Sequence, residues 1–407
     1  MNGLVVGIDL CDAYTQINCS DEEKTWTFPT VICKNKNTDE WYVGEDAYAH
    51  TLLGDGIIVD KLVKLVLKDG TATLGEIRYE GKELLKLFLE RILQFPEQEY
   101  GKLGIRQMAV AVPKLEPCLI EAIYSCAKQL DIERERVHII SQAESFTYYI
   151  LSQKKEIWSG TVGMFDLSEE RLRYYELKVQ RGMKKTTVLT EYEELEEAFN
   201  LDILHSVSGG KLADKILCAC GERMMQKKLY ASVFLTGKGF LNRDWAEDFM
   251  KLLCTKRRVY MEDALFAKGA AYRAIDFLHE KTSYPYICIC EGRLKSTISM
   301  NVIHKGQETS VVVAAAGDNW YDRMATIDVI PDQQETVDFV VTSADTKQKK
   351  TVSIPLEGFP KRPERTTRVQ IQISFLDERT MDVKLKDQGF GELFPSSGVQ
   401  IRQEVMI

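Results

Sequence analysis

Histidine is scarce in this chain: five are spread over 407 residues, with no HExxH pairing and none close to a cysteine. That spacing excludes an HExxH zinc-hydrolase helix and gives no local catalytic constellation of Cys and His. No uninterrupted apolar run approaches the roughly 18 residues a membrane helix needs. The N-terminus leads straight into a strand-like segment, so neither a membrane span nor a signal peptide is expected. A basic excess is also missing. The net charge of −8 argues against a surface built for nucleic acid or an anionic membrane. Ten cysteines lie scattered and not in a framework, as reduced thiols of a cytoplasmic protein do. There is no low-complexity tract and no solenoid repeat. A chain of this length and mixed charge is expected to be globular, with two or three domains.

The first part alternates strands and helices. Leu4–Leu10, Tyr14–Cys19 and 25–33 read as three short strands, and 82–93 repeats leucine at i, i+3, i+4 and i+7 as an amphipathic helix does. Further strands are expected at 107–112, 138–141, 162–167, 173–179 and 231–236, with helices at 113–129, 143–153, 211–226 and 262–277. That alternation predicts α/β architecture. From about Tyr286 the pattern becomes eight short strands separated by polar turns, which predicts a β-sandwich. The boundaries read as a domain over 1–280, a linker over 281–286 around Pro285, and a sandwich over 287–407.

The most informative stretch is VGMFDLSEERLRYYEL, 162–177. It resembles the second phosphate hairpin of the DnaK-type heat-shock chaperones, where Phe-Asp-Leu leads into three glycines. VVGIDLCDAYTQI resembles their first hairpin, AVPKLEPCLIEAIYSCAKQLDI their strand-Pro-helix, VHIISQAESFTYYIL their connecting helix and VFLTGKGF their adenosine-motif strand. EDALFAKGAAYRA resembles their closing helix, with its small-residue packing face, and 352–387 resembles half of their substrate-binding sandwich. The order is collinear over most of the chain. The resemblance implies an actin-like ATPase (ribonuclease H-like) fold with a reduced small lobe, followed by an all-β sandwich without a helical lid. It also implies ATP and Mg²⁺ as cofactors, with Asp9, Asp12, Asp166, Gly237, Lys238 and Gly239 around the nucleotide and Lys61 and Asp166 as catalytic candidates.

The departures point the other way. Ser168, Glu169 and Glu170 stand where the glycines would be, and Cys11, Asp12 and Ala13 replace a Gly-Thr-Thr turn. Gln142 replaces a metal-orienting glutamate, and Arg171 and Arg173 replace a Thr and an Asp. A unit charge about 4 Å from a phosphate costs roughly 1 kcal/mol in water and roughly 4 at a dielectric near 20. Each candidate has a plainer reading beside the functional one. Asp9 and Asp166 also suit hairpin ends, Lys61 suits a solvated helix face in KLVKLVLK, and Gly237 and Gly239 suit a tight strand-to-helix turn. Cys218/Cys220 and Cys288/Cys290 read as small buried hydrophobes and not as a metal set.

The reading that follows is a non-catalytic, chaperone-like protein-binding or scaffold protein with a degenerate ATPase site and no cofactor. Its protein or peptide partner is expected on the sandwich, through Trp320, Arg362, Arg365 and Arg368. An active ATP-dependent chaperone is the alternative, and a small-molecule kinase of the same superfamily comes third.

Overall fold

The computed structural model describes residues 3–19, 24–101, 104–168, 171–182, 186–255, 257–331 and 335–407. The chain forms two compact units, Met1–Gln180 with Val188–Pro285, and Arg181–Thr187 with Tyr286–Ile407. The first is mixed α/β and the second is β-rich.

The first unit opens with an antiparallel meander of β1 (Leu4–Leu10), β2 (Tyr14–Cys19) and β3 (Thr25–Pro29). A small sheet of β4 (Ile32–Asn35), β5 (Trp41–Val43) and β6 (Gly56–Val59) carries α1 (Glu45–Leu53). Next come α2 (Leu62–Leu67), the hairpin β7 (Thr71–Leu74) and β8 (Ile77–Glu80), and α3 (Gly81–Tyr100). Then β9 (Ile105–Val112), α4 (Pro117–Gln129) and β10 (Val137–Ser141) complete a five-stranded sheet of order β10-β9-β1-β2-β3. After α5 (Gln142–Leu151) the plan starts again. It runs β11 (Thr161–Ser168), β12 (Arg171–Gln180), β13 (Thr187–Glu194), α6 (Val207–Met225), β14 (Tyr230–Thr236), α7 (Glu247–Cys254), β15 (Arg258–Met261) and α8 (Leu265–Asp276). Within this unit the second sheet has the order β15-β14-β11-β12-β13, so the unit is one design used twice.

Small residues let helix α8 lie directly on the first sheet. A Cβ on Gly7 would stand 2.1 Å from Ala271 N, and one on Gly269 would stand 2.0 Å from Ser145 O of α5. Ala267, Ala270, Ala271 and Ala274 are buried, and Ser145 Oγ donates to Phe266 O at 2.5 Å. Backbones this close leave no room for a methyl group.

Several boundaries differ from the sequence reading for local reasons. The single strand expected over 25–33 breaks after Pro29, and β3 and β4 join different sheets; proline lacks the N–H that a continuing ladder needs. Helix α6 begins at Val207, four residues earlier than expected, because Ser206 Oγ accepts from Gly209 N at 3.0 Å. Helix α3 runs on through the buried Pro96 to Tyr100, opened by a Glu80–Glu83 capping box. The segment expected as a linker is bonded to the first unit as far as Tyr284. Asp276 accepts from Thr282 Oγ1 and Ser283 N, each at 2.7 Å, and the Tyr284 hydroxyl lies 2.5 Å from Ser152 Oγ.

The second unit holds β16 (Ile287–Ile289), β17 (Ser296–His304), β18 (Gln307–Ala314), β19 (Ala325–Val329), β20 (Thr336–Ser343), β21 (Lys349–Pro355), β22 (Arg368–Phe375), β23 (Thr380–Gly389) and β24 (Gln400–Met406). Two four-stranded sheets result, β18-β17-β20-β21 and β19-β22-β23-β24. Alternate residues are buried, as with Val337, Phe339 and Val341 in β20 or Val369, Ile371, Ile373 and Phe375 in β22. The eight strands expected there are present; β24 is an addition. Among the described residues no helix is long and apolar enough to cross a membrane.

Gly269→Ala is expected to cost at least about 2 kcal/mol, because the new methyl meets backbone and not a flexible side chain. In a thermal melt this should lower Tm by roughly 4–8 °C. Gly160→Ala, where the nearest atom to a Cβ is 3.7 Å away, should stay within about 0.5 kcal/mol of the parent.

Candidate functional site

The duplication puts two aspartates at matching places. Asp9 on β1 pairs with Gln16 of β2 and Ala111 of β9, and Asp166 on β11 pairs with Arg173 of β12 and Thr236 of β14. Each is followed by leucine and then by a side chain that donates back to it. Cys11 Sγ reaches Asp9 Oδ1 at 3.6 Å, and Ser168 Oγ reaches Asp166 Oδ1 at 2.6 Å. Both carboxylates are 1% exposed. The remaining partners are protein cations and amides. Arg171 Nη2 donates to Asp166 Oδ2 at 3.0 Å, and Gln142 Nε2 donates to Asp9 Oδ1 at 2.8 Å. Arg173 Nη1 donates to Gln142 Oε1 and to Pro113 O, each at 3.4 Å, and its other nitrogens reach Glu194. Glu169 and Glu170, expected to repel phosphate, lie outside the described residues.

Burial sets the charge states here. It pushes the Asp9 carboxyl up to about 6 against the pull of the Gln142 hydrogen bond and the Arg171 charge, and it raises the Cys11 thiol and the Tyr14 phenol well above their ordinary ranges. The group implied by the resemblance, a magnesium nucleotide, does not fit this arrangement. Both oxygens of Asp166 already accept from Ser168 and Arg171, and a guanidinium stands against the carboxylate that a metal or its waters would need.

The other expected residues divide between this buried layer and an open cleft of about 950 Å³. Asp12, Lys61, Lys238 and Gly239 line the cleft, with Lys64, Asn200, His205 and Trp245 among its other walls. Asp12 Oδ1 accepts from Lys64 N at 3.0 Å and so closes the first turn of α2. Lys61 is the residue before that helix, in a left-handed conformation with φ 54. Gly237 is buried at φ 95, where a Cβ would stand 2.4 Å from Leu167 O, so close approach of β14 to β11 requires glycine. Lys238 Nζ lies 5.2 Å from the centre of the Tyr14 ring. Tyr14 and Glu194 escaped the sequence reading. The repeated Asp-Leu-Cys and Asp-Leu-Ser were the visible signal.

Residues 13–291 match the C-terminal profile of a family of unknown function, DUF5716, and residues 293–407 match a domain of unknown function, DUF8552. The chain belongs to the DUF5716 family. No curated protein matches it.

The DUF8552 segment carries the residues expected to hold a partner, and two of them are committed elsewhere. Arg362 grips Asp387 with both arms of its fork at 2.8 Å and donates to Pro395 O at 2.6 Å; its side chain is 8% exposed and that of Asp387 is 0%. Trp320 is buried at 6%. Both were expected on the surface; each is instead part of the packing. Arg365 and Arg368 are exposed, as are Phe390 at 45% and Leu393 at 87%. Arg368, at the start of β22, pairs with Gly389, next to Phe390, so a cation stands beside the loop that Asp387 folds by accepting from Gly389 N and Ser397 N.

Two outcomes check these assignments. The proton on Asp9 favours the folded state below about pH 4, and that contribution is lost as pH rises through about 6. Asp9→Asn should therefore match the parent at pH 4 in urea denaturation and exceed it by about 2 kcal/mol at pH 7; a constant difference across this range would assign the titration elsewhere. Arg362→Ala leaves a buried carboxylate without its cation and should cost about 3–5 kcal/mol. Arg368→Ala, on an exposed side chain, should change the unfolding free energy by about 0.5 kcal/mol or less.

Proposed function

We propose that the first unit is an actin-like, DnaK-type domain whose phosphate site is filled by its own side chains, and that the protein acts as a non-catalytic, chaperone-like binding or scaffold protein. The observation that carries this reading is the Asp166–Arg171 pair, at 3.0 Å with Asp166 1% exposed. A fixed guanidinium supplies the positive charge that the resembling ATPases take from a metal ion. The duplicated strand order, and the acidic residues at matching hairpin ends, support the fold assignment. The partner is a protein or peptide taken by the β-rich unit, with the exposed Arg368, Phe390 and Leu393 as its contacts and Arg365 exposed nearby in sequence.

One observation favours the second reading, an active ATP-dependent chaperone. A cleft of about 950 Å³ remains open beside the buried layer, and Asp12, Lys61, Lys238 and Gly239 line it. Calorimetric titration with ATP and Mg²⁺ decides between the two, beside a single-turnover hydrolysis assay. The scaffold reading expects no saturable binding tighter than about 0.1 mM and no burst of product. Micromolar affinity with turnover would establish the ATPase instead.

A further inference from the structure

We propose that the two hairpin ends of the first unit form a ligand-free latch that holds its duplicated halves closed. The contacts cross from half to half in both directions. From the first half, the Tyr14 hydroxyl lies 3.2 Å from Ser168 Oγ at the end of β11. From the second half, Arg173 donates back to Pro113 O at the end of β9 and to Gln142 of the connecting helix α5, which in turn holds Asp9. Lys238 covers the Tyr14 ring from the second half. The arrangement follows from the duplication, because Tyr14 and Arg171 are the first residues of the equivalent strands β2 and β12.

Water has little access to these bonds: Tyr14 is 6%, Ser168 5% and Arg173 7% exposed. A hydrogen bond shielded in this way keeps more of its strength than a surface one, and breaking it leaves polar atoms unsatisfied. Helices α5 and α8 already lock the halves together at their closely packed backbones. The latch adds a second tie at the far ends of β1 and β11, beside the cleft. With both ties made, no bound molecule is needed to bridge the halves. This deepens the scaffold reading and rests on it: a scaffold holds one shape, and the latch is the device that fixes it.

The chain carries its own reporters. Cys118 on α4 and Cys254 on α7 are the two exposed cysteines, one in each half, and the other eight are buried or half-buried. Nitroxide labels on these two, in the full chain, allow the distance between halves to be read by double electron–electron resonance. The parent protein should give one narrow distribution, unchanged by ATP and Mg²⁺. Tyr14→Phe keeps the ring and removes only the hydroxyl, and Ser168→Ala removes its partner. Each should raise the population of longer distances about tenfold, equivalent to about 1.4 kcal/mol, with more in the double variant if both polar groups act together. Urea midpoints measured alongside separate this from a general loss of stability. A narrow distribution retained in both variants, or a broad one in the parent, overturns the latch. Tight ATP binding by the parent overturns the scaffold reading, whereas unchanged variants in a protein that ignores ATP overturn the latch alone.

Discussion

The Arg171 guanidinium stands 3.0 Å from a carboxylate that is 1% exposed, and neither group can leave without stranding the other. Two charges in that environment attract several-fold more strongly than in water, but each has also lost its hydration. The pair is therefore sustained by the bonds around it. Ser168 fills the second Asp166 oxygen, Tyr14 holds Ser168, and Gln142 and Arg173 perform the same service around Asp9. Every one of these side chains finds its partners within the two hairpin ends and the helix between them. The chemistry of the first unit follows from that pairing.

Duplication explains why the ends meet at all. Two sheets with the same strand order present equivalent hairpins, and helices α5 and α8 bring them together only because Gly7 and Gly269 allow backbone contact. A methyl group on Gly7 would push α8 away from β1, which carries Asp9, and one on Gly269 would push α8 away from α5.

The β-rich unit uses the same device in a different place. Arg362 against Asp387 folds the 387–397 loop and raises Phe390 and Leu393 into solvent beside Arg368. A buried cation again serves shape, and the exposed residues near it are left for contact. Arg362, which looks like a recognition residue in the sequence, proves to be an internal support.

Strand and helix identities were legible from the sequence wherever a side chain pattern is enforced by one neighbouring layer. The eight expected strands after Tyr286 and the amphipathic α3 are of this kind. The candidate site was legible in part, since Asp9 and Asp166 stood out as matches to a phosphate-binding pattern and Gln142, Arg171 and Arg173 as departures from it. Their partnerships were not. Tyr14 and Ser168 lie 154 positions apart, and no local rule relates them. The same holds for β24, whose charged alternation hides a strand that only pairing with β23 creates, and for Arg362 and Trp320, whose residue types suggest surface anchors. Exposure is a property of what packs against a side chain, and the sequence lists no neighbours. The sequence by itself determined which groups were available: an Asp-Leu-Cys and an Asp-Leu-Ser, and Arg171 and Arg173 where the resembling chaperones carry a Thr and an Asp. Only the tertiary structure decided that these groups pair with one another, because a buried charge takes its partner from whatever the fold brings within about 3 Å.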